Sequence, residues 1–471
     1  MVAAGSLNLL QLLDVPSASS KLGVGRVKIP QVPPAWDKVL SVQAREDLAR
    51  VFAARAVDHK GRYLHWDEMR NRTPPAGLNH EQWWLGTKLA RGSVRRALPL
   101  LATDGTPFGF CNIDPIQEMV HRIDQKASGH ILADDVVTNL RSSDRYLVSS
   151  LVEEAITSSQ LEGASTSRRV AKELLASGRK PRDRSEQMIV NNFKAMLFAQ
   201  ELAGQPLTPI EVLDLHRIVT EDAIDDPADA GRLQAPGDDR IAVYWHDNTL
   251  LHRPPAADQL PARIEAMCRF ANGEVSGEGF IHPVVRAVIV HFWLAYDHPF
   301  ADGNGRTSRA LFYWAMLHND YWLAQYLSVS SILRKAPTQY AMSYLKTETD
   351  DNDITYFVLY QLEVIERAIE SLHQYLGRKV LESREIERLL HGSTHLNHRQ
   401  LVVIRDALRD STEPFTISAQ AGRHRVAYES ARSDLLELEA LGLLTKERVG
   451  KKYVFRAVTD LSQRLRRPPP R

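Results

Sequence analysis

The sequence contains little cysteine, with only Cys111 and Cys268 among its 471 residues. Neither has neighbours of the kind that bind metals, so the composition indicates neither a disulfide framework nor a zinc knuckle. Two unpaired thiols are typical of a reducing compartment, and we expect a cytoplasmic protein.

An excess of one charge is missing as well. The 59 Lys and Arg residues nearly cancel the 58 Asp and Glu residues, which leaves a formal net charge of +1. Proteins that coat nucleic acid carry a strong basic field over the whole chain. Any contact of this protein with nucleic acid must therefore be local.

The sequence also has no long uninterrupted apolar run. The stretch near Leu9 is short and lacks a basic flank, and the longest run, 284–296, contains Arg286 and His291. We therefore expect neither a signal peptide nor a membrane-spanning segment, and no membrane partner.

What is present is the composition of a globular protein, with 44% hydrophobic and 25% charged residues. Apolar residues recur at helical spacing through 140–380, which predicts a mainly α domain after a mixed region of unclear role at 1–139. The section 395–456 has its own pattern of helices and strands. The end of the chain, 457–471, is rich in Arg and Pro and is expected to be disordered.

A different pattern interrupts the helical domain at 240–253. Ile241, Val243 and Trp245 alternate with smaller or polar residues, and Asp247-Asn248 precede a second short apolar run. Alternation on both sides of a polar turn predicts a β-hairpin.

The segment 298–309 carries the chemistry of a phosphate site. Pro299 disfavours helical backbone at His298, so the apolar helix before it should end there and present the imidazole. The turn Gly303-Asn304-Gly305 lets backbone amides converge, and the helix that follows adds its positive N-terminal end. Together these features predict an anion site beside a histidine.

The charged residues of this segment extend the site to a polyphosphate. Asp302 lies where a carboxylate can hold a Mg²⁺ ion that bridges phosphates. Arg306 and Arg309 are three residues apart, and we expect both guanidinium groups on one helical face to bind phosphates. His298, with a reference pKa near 6.5, would be the general base for an attacking hydroxyl group.

The same segment resembles the signature of the Fic family at every defining position: His298, Phe300, Asp302, Gly303, Asn304, Gly305, Arg306 and Arg309. The resemblance implies an all-helical catalytic core that transfers AMP from ATP to a protein hydroxyl, with Mg²⁺ at Asp302. It also implies that the hairpin at 240–253 is a flap that holds the target segment by strand addition.

A second resemblance lies upstream, where Ser158 and Glu162 precede Gly163. These residues are similar to the inhibitory motif of the Fic family, on a helix expected at about 144–163. Ser158 and Glu162 share a helical face, and Gly163 can end the helix. The resemblance implies that Glu162 holds Arg309 away from the terminal phosphate of ATP, so that ATP binds in an unproductive pose and the protein inhibits itself.

The section 395–456 resembles a winged helix, with a recognition helix at 430–441 and a wing at 448–453. Acidic residues such as Asp434 and Glu437 on that helix count against DNA binding. A DNA-binding or scaffold protein is therefore the alternative to an enzyme.

Several choices remain open within the enzyme class. The donor could be another nucleotide or phosphocholine, and Glu162 could instead support the removal of AMP. The target could offer Ser, Thr or Tyr and could be the protein itself, and a homodimer is a further open choice. Ordinary packing is favoured for His291 and for the Trp83-Trp84 pair.

Overall fold

The structure is a computed structural model that describes residues 29–41, 45–127, 140–238, 240, 242–244, 250–274, 279–391, 396–409, 414–449 and 452–466. The chain divides into two compact units, Met1–Leu372 and His373–Arg471. The described part is mainly helical, as the sequence predicts, and its strands form three antiparallel two-stranded sheets. Within it, every helix is too short or too polar to cross a lipid bilayer.

The first unit begins with a mixed region of helices and strands. Its helices are α1 (Trp36–Ser41), α2 (Arg45–Phe52), α3 (Trp66–Met69), α4 (His80–Val94) and α5 (Asp114–Ala127). Between α4 and α5, strand β1 (Arg95–Leu101) pairs with β2 (Pro107–Cys111). Trp83 and Trp84 are buried in an apolar cluster of this region, so both residues belong to the core.

Seven helices of the described residues lead up to and form the predicted catalytic region. They are α6 (Leu140–Leu161), α7 (Arg168–Ser177), α8 (Arg184–Glu201), α9 (Pro209–Thr220), α10 (Leu260–Ala271), α11 (Pro283–Asp297) and α12 (Asn304–His318). Helices α13 (Val329–Leu333), α14 (Pro337–Thr349) and α15 (Thr355–His391) follow.

Helix α11 is buried on nearly every side, because its sequence is apolar around almost the whole circumference. Pro283 occupies its first turn, where a missing N–H leaves no hydrogen bond unmade. The helix packs against α12, which starts only seven residues after α11 ends. The connection between these two helices is the predicted phosphate segment.

The predicted hairpin contains strands β3 (Val243–Tyr244) and β4 (Leu250–His252), which pair in antiparallel fashion. Residues 245–249, including Trp245 and the Asp247-Asn248 turn, lie outside the described residues. The role of the hairpin as a flap stays a prediction.

The second unit has helices α16 (His398–Arg409), α17 (Ile417–His424) and α18 (Tyr428–Ala440), then strands β5 (Leu444–Val449) and β6 (Lys452–Ala457). Its core includes Ile404, Leu435, Leu438 and Phe455. This order of elements suits the winged-helix resemblance, which stays a prediction.

The structure differs from the predicted disorder at 457–471. Helix α19 (Leu461–Leu465) follows β6, and Leu461 is only 4% exposed because it packs in the same apolar cluster as Phe455. Arg464 donates a hydrogen bond to the carbonyl of Gly442 at 2.8 Å. Leu461 and the partly buried Leu465 therefore hold the first part of this segment against the core. Residues 467–471 lie outside the described residues.

Candidate active site

His298 caps the C-terminus of α11, as Pro299 predicts. Its backbone is left-handed, with φ 43° and ψ 55°, and its N–H donates to the carbonyl of Leu294 at 3.0 Å. Arg240 holds the next carbonyls of this helix end, since Nη2 donates to Asp297 O at 2.8 Å and Nη1 donates to His298 O at 3.1 Å. A side chain from the start of the hairpin thereby fixes the backbone of the histidine.

The imidazole of His298 is oriented by Asn304. The backbone of Phe300 fixes the orientation of the Asn304 amide. The Phe300 N–H donates to Oδ1 at 3.0 Å, and the Phe300 carbonyl accepts from Nδ2 at 2.8 Å. Nδ2 also lies 3.2 Å from His298 Nδ1, so this ring nitrogen accepts. Enclosure by the protein lowers the pKa of His298 to about 3, and the positive charges of His252 and Arg240 act in the same direction. The ring is therefore neutral at pH 7.

The N-terminal turn of α12 is the place where the sequence predicts an anion site. Gly303 caps the helix with φ 80°, and a Cβ there would lie 2.8 Å from Thr220, so only glycine fits this turn. The first amides of a helix have no partner within the helix and carry a partial positive charge. A Cβ at Gly305 would lie 2.1 Å from Glu162 Oε1, which places the Glu162 carboxylate directly against this turn.

Arg309 joins the inhibitory motif to this site. Nε donates to Ser158 Oγ at 2.8 Å, and Nη2 donates to Ser158 O at 3.1 Å and to Glu162 Oε1 at 2.8 Å. Nη1 is buried and has no hydrogen-bond partner among the described residues. A buried donor without an acceptor is costly, so this nitrogen is suited to an oxygen anion that enters the site. Gly163, with φ 90°, lies just beyond the end of α6.

Asp302 is held by cations and by backbone. Oδ1 accepts from Gly303 N–H at 2.5 Å and from Arg306 Nη2 at 3.3 Å, whereas Oδ2 accepts from Arg184 Nη2 at 3.1 Å. Burial alone would raise the pKa of Asp302, but Arg306, the Gly303 N–H and Arg184 outweigh it and hold the pKa below its usual value. The carboxylate is therefore ionised and can act as a metal ligand.

The structure separates the two arginines that the sequence analysis placed on one phosphate face. Arg306 is fully buried, and its Nη1 donates to the carbonyl of Val219 at 3.0 Å while Nη2 contacts Asp302. Arg309 instead contacts α6. The Arg306 guanidinium thus contacts the end of α9 and Asp302, whereas that of Arg309 contacts α6, and phosphate binding by either arginine stays a prediction.

His216 is a residue of this site that the sequence analysis did not identify. Its ring stacks on Phe300 at 3.7 Å between centroids, Nε2 donates to Asp302 O at 2.8 Å, and Nδ1 accepts from Gly231 N–H at 2.9 Å. Burial lowers the pKa of His216 to about 4, so it stays neutral. It supports the loop at Asp302 from α9, more than 80 residues earlier in the chain.

Glu154 is a second residue that sequence reasoning missed. It is buried on α6 and accepts hydrogen bonds from Ser330 N–H and Ser328 Oγ, each at 3.0 Å. Glu154, Ser158 and Glu162 follow one another at four-residue intervals, and this spacing on one helical face was the available signal. Glu154 therefore anchors the helix that carries Ser158.

His291 and Tyr340 lie in the core near this site. His291 is 1% exposed, and its Nε2 lies 2.8 Å from Tyr340 Oη, so it is a buried, hydrogen-bonded histidine as expected. Tyr340 Oη also lies 3.1 Å from Tyr344 Oη, and the Tyr344 ring packs on Phe357 at 4.6 Å. These two tyrosines thus have packing roles.

Comparison with known proteins points to one family. Residues 206–316 match the model of the Fic/DOC family. The proteins named protein adenylyltransferase Fic from Drosophila sechellia and Drosophila melanogaster are each 34% identical over 115 residues, which is 24% of this chain and 21% of theirs. The match thus spans about one fifth of the length of these curated relatives.

Solved structures of similar fold include a Fic family protein from Desulfovibrio desulfuricans, with a TM-score of 0.49 and 17% identity over 74% of this chain and 98% of that one. Another is Fic-1 from C. elegans, with a TM-score of 0.44 and 19% identity over 64% of this chain and 80% of that one.

Proposed function

We propose that this protein, whose residues 206–316 match the model of the Fic/DOC family, transfers AMP from ATP to a hydroxyl group of a target protein. In this reaction the hydroxyl oxygen of a Ser, Thr or Tyr bonds to the α-phosphorus, the bond to the bridging oxygen breaks, and pyrophosphate leaves. One observation carries the proposal: a helix N-terminus and Arg309 meet at a carboxylate, and Asn304 of the same helical turn holds a neutral imidazole.

His298 is the proposed base that takes the proton of the attacking hydroxyl. Asn304 donates to Nδ1, so the neutral ring carries its proton on Nε2, and the attacking hydroxyl must replace the Asn304 amide as the donor to the Nδ1 lone pair. A pKa near 3 describes the site without nucleotide. A bound triphosphate adds negative charge beside the ring, which raises the pKa and strengthens the base. General-base assistance of this kind contributes about 10²- to 10⁴-fold in rate.

The N-terminal turn of α12 and Arg309 are the proposed phosphate ligands. The first amides of the helix, from Asn304 to Arg306, present donors that need no reorientation. Arg309 Nη1 adds a buried donor that lacks an acceptor. Preorganised donors of this type stabilise the negative charge that develops on phosphate oxygens.

Asp302 is the proposed ligand of a Mg²⁺ ion, and the residues fit this group. Magnesium sites commonly combine one or two carboxylates with phosphates and water, and Asp302 stays ionised beside the anion site. When bound, the ion would neutralise charge on the phosphates. The protein's part is to keep this carboxylate charged and aimed, through Gly303 N–H and His216.

Glu162 is the proposed inhibitor. Its carboxylate occupies the N-terminal turn of α12 and pairs with Arg309, and both features are those a phosphate group would use. While this carboxylate holds Nη2, Arg309 cannot give both of its terminal nitrogens to a phosphate. The protein is therefore proposed to be restrained by its own helix α6.

The hairpin is the proposed holder of the target segment. His252 on β4 anchors it, since Nδ1 lies 2.8 Å from Glu348 Oε2 and Nε2 lies 2.8 Å from Tyr296 O. Burial lowers the pKa of His252, but Glu348 outweighs it and raises the pKa above its usual value. A fixed β4 strand offers an edge to which an extended peptide can add.

Labelled ATP and Mg²⁺ test the proposal. The Glu162→Gly protein is incubated with them alone and with cell lysate, and adenylylated peptides are identified by mass spectrometry. We expect label on the protein itself or on a target, and none with the Glu162→Gly/His298→Ala double variant. Equal labelling by both proteins would refute the proposal. Competition by a panel of unlabelled nucleoside triphosphates identifies the nucleotide that the protein uses as donor. Incubation with AMP-modified target tests whether the protein also removes AMP.

DNA binding by the second unit is a second candidate, and the pairing of Asp434 weakens one argument against it. Asp434, which counts against it in the sequence, is largely buried and accepts from Arg399 Nε at 2.6 Å and from Asn397 Nδ2 at 2.7 Å. Gln400 Nε2 donates to Glu437 at 2.6 Å. Asp434 is thus neutralised, but Glu437 and Glu429 on the same helix stay exposed and still count against DNA binding. A gel shift of the full chain that weakens with salt would support this candidate.

A further inference from the structure

Arg184, at the start of α8, connects the proposed metal ligand with an acidic residue at the surface. Its Nη2 lies 3.1 Å from Asp302 Oδ2, and its Nη1 pairs with Asp225 Oδ1. The side chain of Arg184 is 50% exposed, that of Asp225 is 87% exposed, and that of Asp302 is 18% exposed. The reaction proposed above uses neither Arg184 nor Asp225.

The two oxygens of Asp302 differ in what holds them. Oδ1 is fixed by backbone and by the buried Arg306, which cannot leave without unpacking the end of α9. Oδ2 is held by Arg184, whose half-exposed side chain can turn toward solvent. A cation that enters from the nucleotide side can therefore reach Oδ2, but only after this guanidinium has moved.

We propose that the Arg184 guanidinium occupies Oδ2 of Asp302 until a metal ion displaces it, and that Asp225 then retains the released Arg184 side chain. The inference rests on the proposed function, because it presumes a metal ion at Asp302. A guanidinium and a divalent ion repel each other at such short range, so they compete for one oxygen. Arg184 thereby sets the metal affinity of the site, independently of the contact between Glu162 and Arg309.

The test measures metal binding without turnover. The full chain with Glu162→Gly is saturated with a non-hydrolysable ATP analogue, and Mn²⁺ binding is followed by electron paramagnetic resonance. We expect Arg184→Gln to tighten Mn²⁺ binding about two- to fivefold, a modest factor because exposed ion pairs are weak. Arg182→Gln is the matched control, since it removes the same charge from an exposed position two residues earlier.

Asp225 gives a second, opposite change. Asp225→Asn leaves Arg184 with Asp302 alone and is expected to weaken Mn²⁺ binding, whereas the same substitution in the Arg184→Gln protein should have little effect. An equal weakening in both backgrounds would mean that Asp225 acts on the ion directly, and it would overturn the assigned role of Asp225.

The remaining outcomes separate this inference from the function on which it rests. Unchanged or weaker Mn²⁺ binding by the Arg184→Gln protein overturns the inference and leaves the metal site intact. Weaker binding of the analogue in EDTA by that protein would make Arg184 a phosphate ligand, which also overturns it. Absence of Mn²⁺ binding by every variant, with the analogue bound, overturns the metal site and the inference together.

Discussion

Glu162 and Arg309 are 147 positions apart in the chain, yet Glu162 Oε1 accepts a hydrogen bond from Arg309 Nη2 at 2.8 Å. The side chains are 10% and 2% exposed, so solvent hardly screens this ion pair. The same carboxylate lies against Gly305 at the start of α12. One acidic residue thus contacts both proposed phosphate-binding features.

The first prediction concerns the charge of Glu162. Glu162→Gln and Glu162→Gly should each raise AMP transfer about tenfold or more, because a charge-assisted hydrogen bond worth roughly 1.5–3 kcal/mol no longer holds Arg309. The measurement is the initial rate of label incorporation from ATP. Glu153→Gln is the matched control, because Glu153 pairs with the exposed Arg168 on the outer side of the helix. Equal rates for all of these variants and the unaltered protein would contradict the proposed restraint.

The second prediction concerns Ser158. Ser158→Ala removes the hydroxyl that accepts from Arg309 Nε, while the contact of Arg309 with Glu162 remains. We expect partial activation, smaller than that of Glu162→Gly, together with a loss of stability of about 1–2 kcal/mol. Ser159→Ala is the control, since its buried hydroxyl donates to the carbonyls of Ala155 and Met188 and should affect stability alone. Transfer rates and urea midpoints are measured side by side.

The third prediction concerns Gly305. Gly305→Ala places a methyl group 2.1 Å from the present position of Glu162 Oε1 and 3.1 Å from Arg309 Nη1, so it must expel the Glu162 carboxylate while filling the anion site. We expect loss of nucleotide binding, even when combined with Glu162→Gly, by isothermal titration calorimetry. Helix propensity favours alanine by about 1 kcal/mol, so the fold should survive. Normal ATP affinity in the combined variant would show that phosphate lies elsewhere.

The fourth prediction concerns Arg240 and the pH profile. Arg240→Gln removes the side chain that holds the carbonyl of His298 and a positive charge that depresses the pKa of this histidine. The pKa of His298 should rise, so the acidic limb of the kcat/KM profile moves to higher pH while kcat falls. Arg240→Lys keeps the charge and should leave the limb in place. A fall in kcat with an unmoved limb in the Gln variant would assign Arg240 a structural role only.

The fifth prediction concerns acid stability and His291. Burial lowers the pKa of His291 to about 3, against about 6.5 in an unfolded chain. The unfolded state therefore binds more protons between these values, so the stabilisation present above pH 6.5 is lost as the pH falls toward 3. Between pH 7 and pH 5 this one residue should cost roughly 2 kcal/mol. His291→Gln should reduce the pH dependence by that amount in urea unfolding at both pH values. An unchanged dependence would contradict burial of a neutral ring.

The local part of the site could be predicted from the sequence. Pro299 ends α11 at His298, and Gly303 starts α12, because both effects depend on backbone geometry within a few residues. The helical spacing of Ser158 and Glu162 is local in the same sense. The structure adds the contact of both residues with Arg309, which agrees with the implied partner.

Helical spacing did not predict the directions of the Arg306 and Arg309 side chains, because packing decides them. Arg306 and Arg309 are three residues apart, but the first guanidinium is buried against Val219 and Asp302 and the second against α6. A periodicity states which face of a helix a residue occupies, not which neighbour will bind its long side chain.

The sequence by itself determined the mainly α fold, the histidine at a helix end and the glycine turn, since these depend on interactions between residues close together in the chain. Only the tertiary structure decided that His216 supports Asp302, that Arg240 holds His298 and that Arg184 contacts Asp302. Each of these pairs joins residues more than 50 positions apart. Their meeting depends on how whole helices pack, which no local pattern specifies.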